Sequence, residues 1–415
     1  MADVRPFRAL RPRDDLASQI IAPPYDVLDE TAARALAQEP RCFVRVTRAE
    51  VDLPEGTDPH CEATYHKARE NLDAFVSDGL LVEDRRPTYY LYGQVMGDHE
   101  QVGVLAAASV AEYDDGGIAR HELTRPDKED DRTHHMDVLD AQVGLVFLTY
   151  RPTDRLTELL AELSSRAPAW EVTTEDEVIH RLWPVPLDRV EALRAAFAEV
   201  DRLYIADGHH RSAAASRIHA QRRTEASSGF LAGLYPADRL QVLPYNRVIS
   251  DLNGHTPESF LEAIAMAYEV HANGPDTPIR RGELSMYLDD RWFRLIARPE
   301  VRSFDPVAGL DVSILQDRVL SPVLSIDDPR RSTRISFVGG IHGPGALEEA
   351  VDAGAAVAFH LYPTGLEQLF AVADAGEVMP PKSTWFEPKL REGVVVRRLS
   401  SAGRRPQAQG TGRPR

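Results

Sequence analysis

The sequence predicts an α+β protein in which mixed sheets pack against helices, and three observations lead there. Strand-like runs at 88–95 and 102–113 flank the turn signal Gly97-Asp-His-Glu100, and 283–298 reads as a hairpin around Asp289-Asp290. Elsewhere a helix follows a strand directly, as where the apolar Leu203-Tyr-Ile-Ala206 gives way to the Ala-rich Ser212-Ala-Ala-Ala-Ser-Arg217. Turn-linked and helix-linked strands in one chain disfavour a doubly wound parallel sheet. The third observation is length, since 415 residues exceed one ordinary core. We divide the chain near residues 95 and 250, giving an N-terminal α+β region (1–95), a site-bearing core (96–250), a C-terminal α+β domain (251–399) and a tail (400–415). The tail is rich in Gly, Pro, Arg and Gln and reads as disordered.

Taken in order, the consecutive prolines of Ile20-Ile-Ala-Pro-Pro-Tyr-Asp-Val-Leu28 exclude a helix interior and set Tyr25 and Asp26 on a stiff segment. Cys42-Phe-Val-Arg-Val46 reads as a strand. Residues 63–78 carry Ala68, Leu72, Phe75 and Val76 at helical spacing, which is a core-facing helix. Strand character returns at 143–150, and 154–163 and 187–200 read as helices. Further on, 240–249, 334–338 and 356–362 are strand-like, whereas 257–267, 311–320, 346–353 and 366–373 are helical. The proline-rich 379–389 is a rigid loop, and 393–396 a last strand.

Composition narrows the function classes. The formal net charge is −17, whereas broad nucleic-acid binding needs a basic footprint, so nucleic acid is not the expected partner. A local nucleotide site is compatible with that charge. No apolar run approaches a membrane span, and no apolar core follows the charged start Met1-Ala-Asp-Val-Arg-Pro6. Cys42 and Cys61 are the only cysteines, too few for a disulfide framework or a cysteine zinc site. A reducing cytoplasm is the expected compartment. Nothing in the sequence indicates an oligomeric state.

The most specific chemical signal is Asp207-Gly-His-His-Arg211, which falls where a strand turns into a helix. Free backbone N–H groups there favour an anion, and Gly208 lets a ligand approach the backbone. Adjacent His209 and His210 diverge by roughly 100° on a helix, a poor arrangement for chelating one metal but a usable one for phosphate oxygens. Arg211 can contact a phosphate bidentately, and Asp207 can hold Mg²⁺ or cap the helix. The stretch from His121 to His135 is either a solvated charged loop or a second part of the site. As the latter, it offers Glu122 as a carboxylate base and Arg125, Lys128 and Arg132 as phosphate-binding cations. Lys382, Ser383 and Thr384 follow a Pro-Pro stop and suit a carboxylate or a phosphate, while Trp385 either stacks on a base or packs. A Walker loop, a dinucleotide fingerprint and a Gly-x-Ser-x-Gly elbow are all missing from the sequence.

Ala22-Pro-Pro-Tyr-Asp-Val27, Arg120-His-Glu-Leu-Thr124, Ile205-Ala-Asp-Gly-His-His-Arg211, Leu243-Pro-Tyr-Asn-Arg247 and Met379-Pro-Pro-Lys-Ser-Thr-Trp-Phe386 together resemble the family called domain of unknown function 1015. That name states no activity. The His-Glu element and the Asp-Gly-His-His-Arg turn are more distantly similar to the free serine kinases of the ParB and sulfiredoxin superfamily. The resemblance implies a ParB/sulfiredoxin-like nucleotide-binding core within 96–250, and a kinase moving a phosphoryl group from ADP or ATP to free L-serine with Mg²⁺. It would make Glu122 the base beside His121, Asp207 the metal or hydroxyl partner, and Gly208, His209, His210 and Arg211 the nucleotide-phosphate contacts. Arg125, Lys128, Lys382, Ser383 and Thr384 would serve the small hydroxyl-bearing substrate. The same superfamily holds nucleotide switches, so a non-catalytic nucleotide-binding module is the rival expectation.

Overall fold

The computed structural model describes residues 1–400. Nine strands among these form one mixed sheet whose path runs Ile118–Ala119, Leu203–Asp207, Val146–Tyr150, Gly229–Pro236, His99–Ser109, Tyr90–Met96, Ile179–Pro184 and Trp170–Thr173. Val4–Arg5 joins it beside His99–Ser109. Two of the pairings are parallel, Leu203–Asp207 with Ile118–Ala119 and Gly229–Pro236 with Val146–Tyr150, and the others are antiparallel. The expected α+β class with mixed sheets is therefore what the chain adopts. Leu203–Asp207 is buried up to its final Asp207 because both faces of the sheet are covered. Leu203 and Ile205 enter one hydrophobic cluster, while Tyr204 and Ala206 enter another.

A second, six-stranded sheet is wholly antiparallel, in the order Tyr268–Ala272, Arg291–Ala297, Glu283–Leu288, Val357–Leu361, Tyr245–Ile249 and Ile335–Gly339. Four short strands make a third sheet, in which Val396–Arg398 lies between Ala9–Pro12 and Ala141–Gln142. The C-terminal segment thus returns to the N-terminal part of the molecule. Residue 95 falls inside the Tyr90–Met96 and His99–Ser109 hairpin, and the second sheet takes its first strand from Tyr245–Ile249. Beyond residue 400, the expected tail lies outside the described residues.

Several expectations are corrected. Residues 42–46 are not a strand: Val44–Thr47 is a helical turn, because Val44 and Val46 bury in a small cluster with Phe43, Leu72 and Phe75. Packing overrides the β preference of valine there. The strand expected to reach 113 ends at Ser109, whose hydroxyl accepts from Glu112 N–H and starts the helix Val110–Asp114. Pro244 divides 240–249, so Gln241–Leu243 pairs with Trp385–Glu387 while Tyr245–Ile249 enters the second sheet. The loop at 379–389 therefore ends in a short strand. The charged stretch after His121 is largely helix, Pro126–Leu139, with Pro126 in its first turn. Its acids face a neighbouring helix, His209–Arg222: Arg217 meets Glu129 and Asp130, and Arg222 meets Asp137 and Asp140. No described helix is long and apolar enough to cross a membrane.

Candidate functional site

The central strand ends at Asp207, and Gly208 turns the chain at φ +98 before the helix His209–Arg222 begins. Gly208 is the cap residue, so Asp207 does not cap the helix. Its carboxylate Oδ2 instead accepts from Lys389 Nζ at 3.3 Å, and its Oδ1 lies 3.9 Å from Arg211 Nη2. A side chain at 208 would crowd the turn, since a Cβ there would sit 3.2 Å from Arg211 Nε and 3.3 Å from Val146 Cα. The first helical N–H groups with an acceptor inside the turn belong to Arg211 and Ser212, both donating to Gly208 O. Those of His209 and His210 precede them at the open end. Arg211 Nη1 donates to Leu145 O, while Nη2 lies 3.9 Å from Asp26 on the Pro-Pro segment. Beside it, Arg132 stacks on Tyr25 at 4.2 Å. Burial pushes the Asp207 carboxyl up, but Lys389 and Arg211 outweigh it and hold the group well below the usual carboxylate range.

The rings of His121 and His209 meet edge to face, 4.6 Å between centroids, and both are buried. His121 Nδ1 and His209 Nε2 are buried without a hydrogen-bond partner. Burial lowers His121 to about 4 and His209 well below its ordinary value, so both are neutral near pH 7. They can donate or accept a hydrogen bond there but add no charge. His210 diverges as the helical geometry requires, and its Nε2 accepts from Arg125 N–H at 3.1 Å. Glu122 is half-buried, with Oε2 3.9 Å from His209 Nδ1. Burial raises its pKa; Lys382 opposes that rise and Asp207 adds to it.

The loop at 379–389 closes the site from the opposite side. Lys382 adopts φ +58, and its Nζ lies 5.3 Å from the Tyr245 ring centre. Ser383 Oγ donates to Pro380 O at 2.6 Å. Buried Arg247 holds the loop through Nη2, which donates to Pro381 O at 3.2 Å. Trp385 packs rather than offering a stacking face: Lys389 Nζ covers the ring at 4.7 Å, and a Cβ on Gly339 would strike it at 2.8 Å.

Two cavities meet at this point. The smaller, 560 Å³, is lined by Gly208 to Arg211 and by Arg125, Lys128 and Arg132. The larger, 820 Å³, is lined by His121, Ser383, Thr384 and Lys389. Asp26, Glu122, Asp207, Phe337 and Lys382 line both. A cationic chamber built round a helix start thus opens into a second chamber across three carboxylates and a lysine.

The family model described as "Protein of unknown function (DUF1015)" matches residues 4–313. The chain belongs to this family. Among solved structures, a free serine kinase in complex with AMP is similar at 14% identity, covering 68% of this chain and 86% of that chain, with a TM-score of 0.35. A C-terminally truncated SbnI from Staphylococcus aureus is similar at 11% identity, covering 69% and 84%, with a TM-score of 0.38. A conserved hypothetical protein from Pyrococcus furiosus is similar at 13% identity, covering 68% and 90%, with a TM-score of 0.34. No curated protein matches the sequence.

Every site residue expected from the sequence of this DUF1015 protein lines one cavity or the other. They do not form a single substrate subsite, however. Arg125 and Lys128 stand with the phosphate-type turn, Ser383 and Thr384 stand in the larger cavity, and Lys382 lies between. Asp26, which the sequence left open between a structural corner and a site role, and Lys389, which it did not assign, also line the larger cavity. For Lys389 the available signal was its position at the end of the same proline-rich loop as Lys382. Among the described residues no group of three or more His, Cys, Asp or Glu could hold a metal ion. Asp207 supplies one carboxylate, enough for Mg²⁺ carried by phosphate oxygens but not for a protein-built metal cage.

Proposed function

We propose that this protein is a phosphotransferase that moves a phosphoryl group from ADP or ATP to the hydroxyl of a small metabolite, with free L-serine as the acceptor. One observation carries the reading: Glu122 and Asp207 sit where a cationic cavity around a helix N-terminus opens into a second cavity. Serine as the acceptor comes from the motif resemblance alone.

In this reading the nucleotide phosphates occupy the smaller cavity. The N–H groups of the turn, the Arg211 guanidinium, Arg125, Lys128 and Arg132 hold their oxygens. His209 contributes a neutral hydrogen-bonding ring. The acceptor enters the larger cavity, its carboxylate met by Lys382 and its polar groups by Ser383 and Thr384. Glu122 takes the hydroxyl proton as the oxygen attacks phosphorus in line, and its raised pKa makes it a better base than an exposed carboxylate. Mg²⁺ arriving with the nucleotide would rest on Asp207 and supply charge neutralisation.

The test is incubation with L-serine, Mg²⁺ and ADP or ATP, followed by phosphorus NMR for O-phosphoserine. Product should form with the wild type and disappear in Glu122→Gln, while calorimetry shows nucleotide binding retained. No product with either donor removes serine from the reading. Tight nucleotide binding without transfer to any small hydroxyl compound would mark a non-catalytic nucleotide module instead.

A further inference from the structure

We infer that Lys389 is a catalytic residue, the cation that contacts the terminal phosphoryl group of the nucleotide during transfer; this deepens the phosphotransferase reading and rests on it. The ammonium group lines the larger cavity and lies 3.3 Å from Oδ2 of Asp207, one of the residues that line both cavities. An ammonium has three N–H donors, and among the described residues Nζ has a hydrogen bond to Asp207 only. Two donors are left for a ligand.

The surroundings fix this lysine far more tightly than an ion pair requires. Lys389 N donates to Glu387 Oε2 at 3.0 Å, and Glu387 Oε1 accepts from Trp385 Nε1 at 2.7 Å. Gln94 Nε2 donates to Lys389 O at 2.9 Å, and Gln101 Nε2 donates to Gln94 Oε1 at 2.9 Å. Both glutamines are fully buried in the large sheet. Nζ lies over the Trp385 ring, 4.7 Å from its centre, and Gly339 packs closely against the same indole. These bonds fix the backbone from which the side chain springs, and the Trp385 ring and Asp207 carboxylate set the position of its ammonium group, which favours a preorganised donor.

In the step, the acceptor oxygen forms its bond to the terminal phosphorus and the bond from that phosphorus to the nucleotide oxygen breaks. The hydroxyl proton goes to Glu122. The nucleotide leaves one phosphate shorter and keeps the electron pair. Lys389 retains its protons and donates N–H bonds to non-bridging oxygens as charge redistributes over them.

Calorimetry with AMP and ADP separates this role from a structural one, without turnover. The wild type should bind ADP more tightly than AMP. Lys389→Met should reduce that preference about tenfold or more, Lys389→Arg should restore part of it, and Trp385→Leu should reduce it by freeing the lysine. Where product forms, Lys389→Met should also lower turnover by roughly 100- to 1000-fold. An unchanged preference for ADP in Lys389→Met, with or without a lowered thermal midpoint, overturns the inference and leaves the phosphotransferase reading standing. A wild type that binds neither nucleotide overturns both.

Discussion

Alanine at position 208 should weaken nucleotide binding by more than its effect on the fold explains. Gly208 sits at φ +98, a conformation that disfavours a side chain by about 1–2 kcal/mol. The added Cβ would also lie 3.3 Å from Val146 Cα and 3.2 Å from Arg211 Nε. Val146 belongs to a strand paired on both sides and cannot retreat. The Arg211 side chain can, at the expense of its bond to Leu145 O and its place beside Asp26 and Asp207. A displaced guanidinium forfeits a charge-assisted contact worth about 1.5–3 kcal/mol, which predicts at least a tenfold weaker Kd for ADP. Gly354→Ala is the matched control: φ is +119, and nothing lies within 4 Å of its Cβ. It should lower the thermal midpoint by a similar backbone increment and leave the Kd unchanged. Calorimetry with ADP and scanning calorimetry of all three proteins give the comparison. Wild-type affinity in Gly208→Ala, or equal weakening in both variants, would refute the placement of phosphate at this turn.

Other outcomes follow from neighbouring residues. Gly339→Ala drives a methyl group into the Trp385 ring, 2.8 Å away, so unfolding should show a loss of about 1–3 kcal/mol. Arg247 is buried, and its pKa is lowered to about 9 by desolvation. Arg247→Met should therefore leave stability nearly unchanged while raising KM for the acceptor, because Pro381 O loses its donor and the Lys382 loop loosens. Glu392 is buried with Oε2 unpartnered, and burial lifts its pKa from 4.5 to about 7. A raised carboxyl pKa means the folded state binds the proton more tightly. Stability tied to this group is full below about pH 4.5 and is lost as pH rises towards 7. Glu392→Gln should flatten that decline in urea titrations run from pH 5 to 8, and an unchanged slope would show that Glu392 does not titrate there.

What was legible in the sequence was local. The turn at Asp207 to Arg211 could be read because its strand, glycine and helix lie side by side, and each has a physical reason to be where it is. The helix after Arg125 was less legible, since its charged surface resembled a solvated loop until Arg217 and Arg222 supplied partners from another helix. Val44 and Val46 misled because valine's β preference is weaker than burial. Residue 95 lies inside a hairpin whose turn, Gly97-Asp-His-Glu100, was itself legible, so a boundary there cuts a strand pair that the sequence signalled. Lys389 offered only one local signal, its place in the loop that carries Lys382. Its backbone carbonyl is held by Gln94, 295 positions away, and no local pattern encodes that contact.

That separation also sets the order in which the site can come into being. On a ribosome the Asp207 turn emerges 182 residues ahead of Lys389, and the strand Val396–Arg398, which ties the C-terminal segment to Ala9–Pro12, emerges later still. A growing chain can therefore form the strand–glycine–helix turn early, with Asp207 lacking its lysine. The contact between Lys389 and Asp207 is locked in place only when the last strand has found the first part of the molecule.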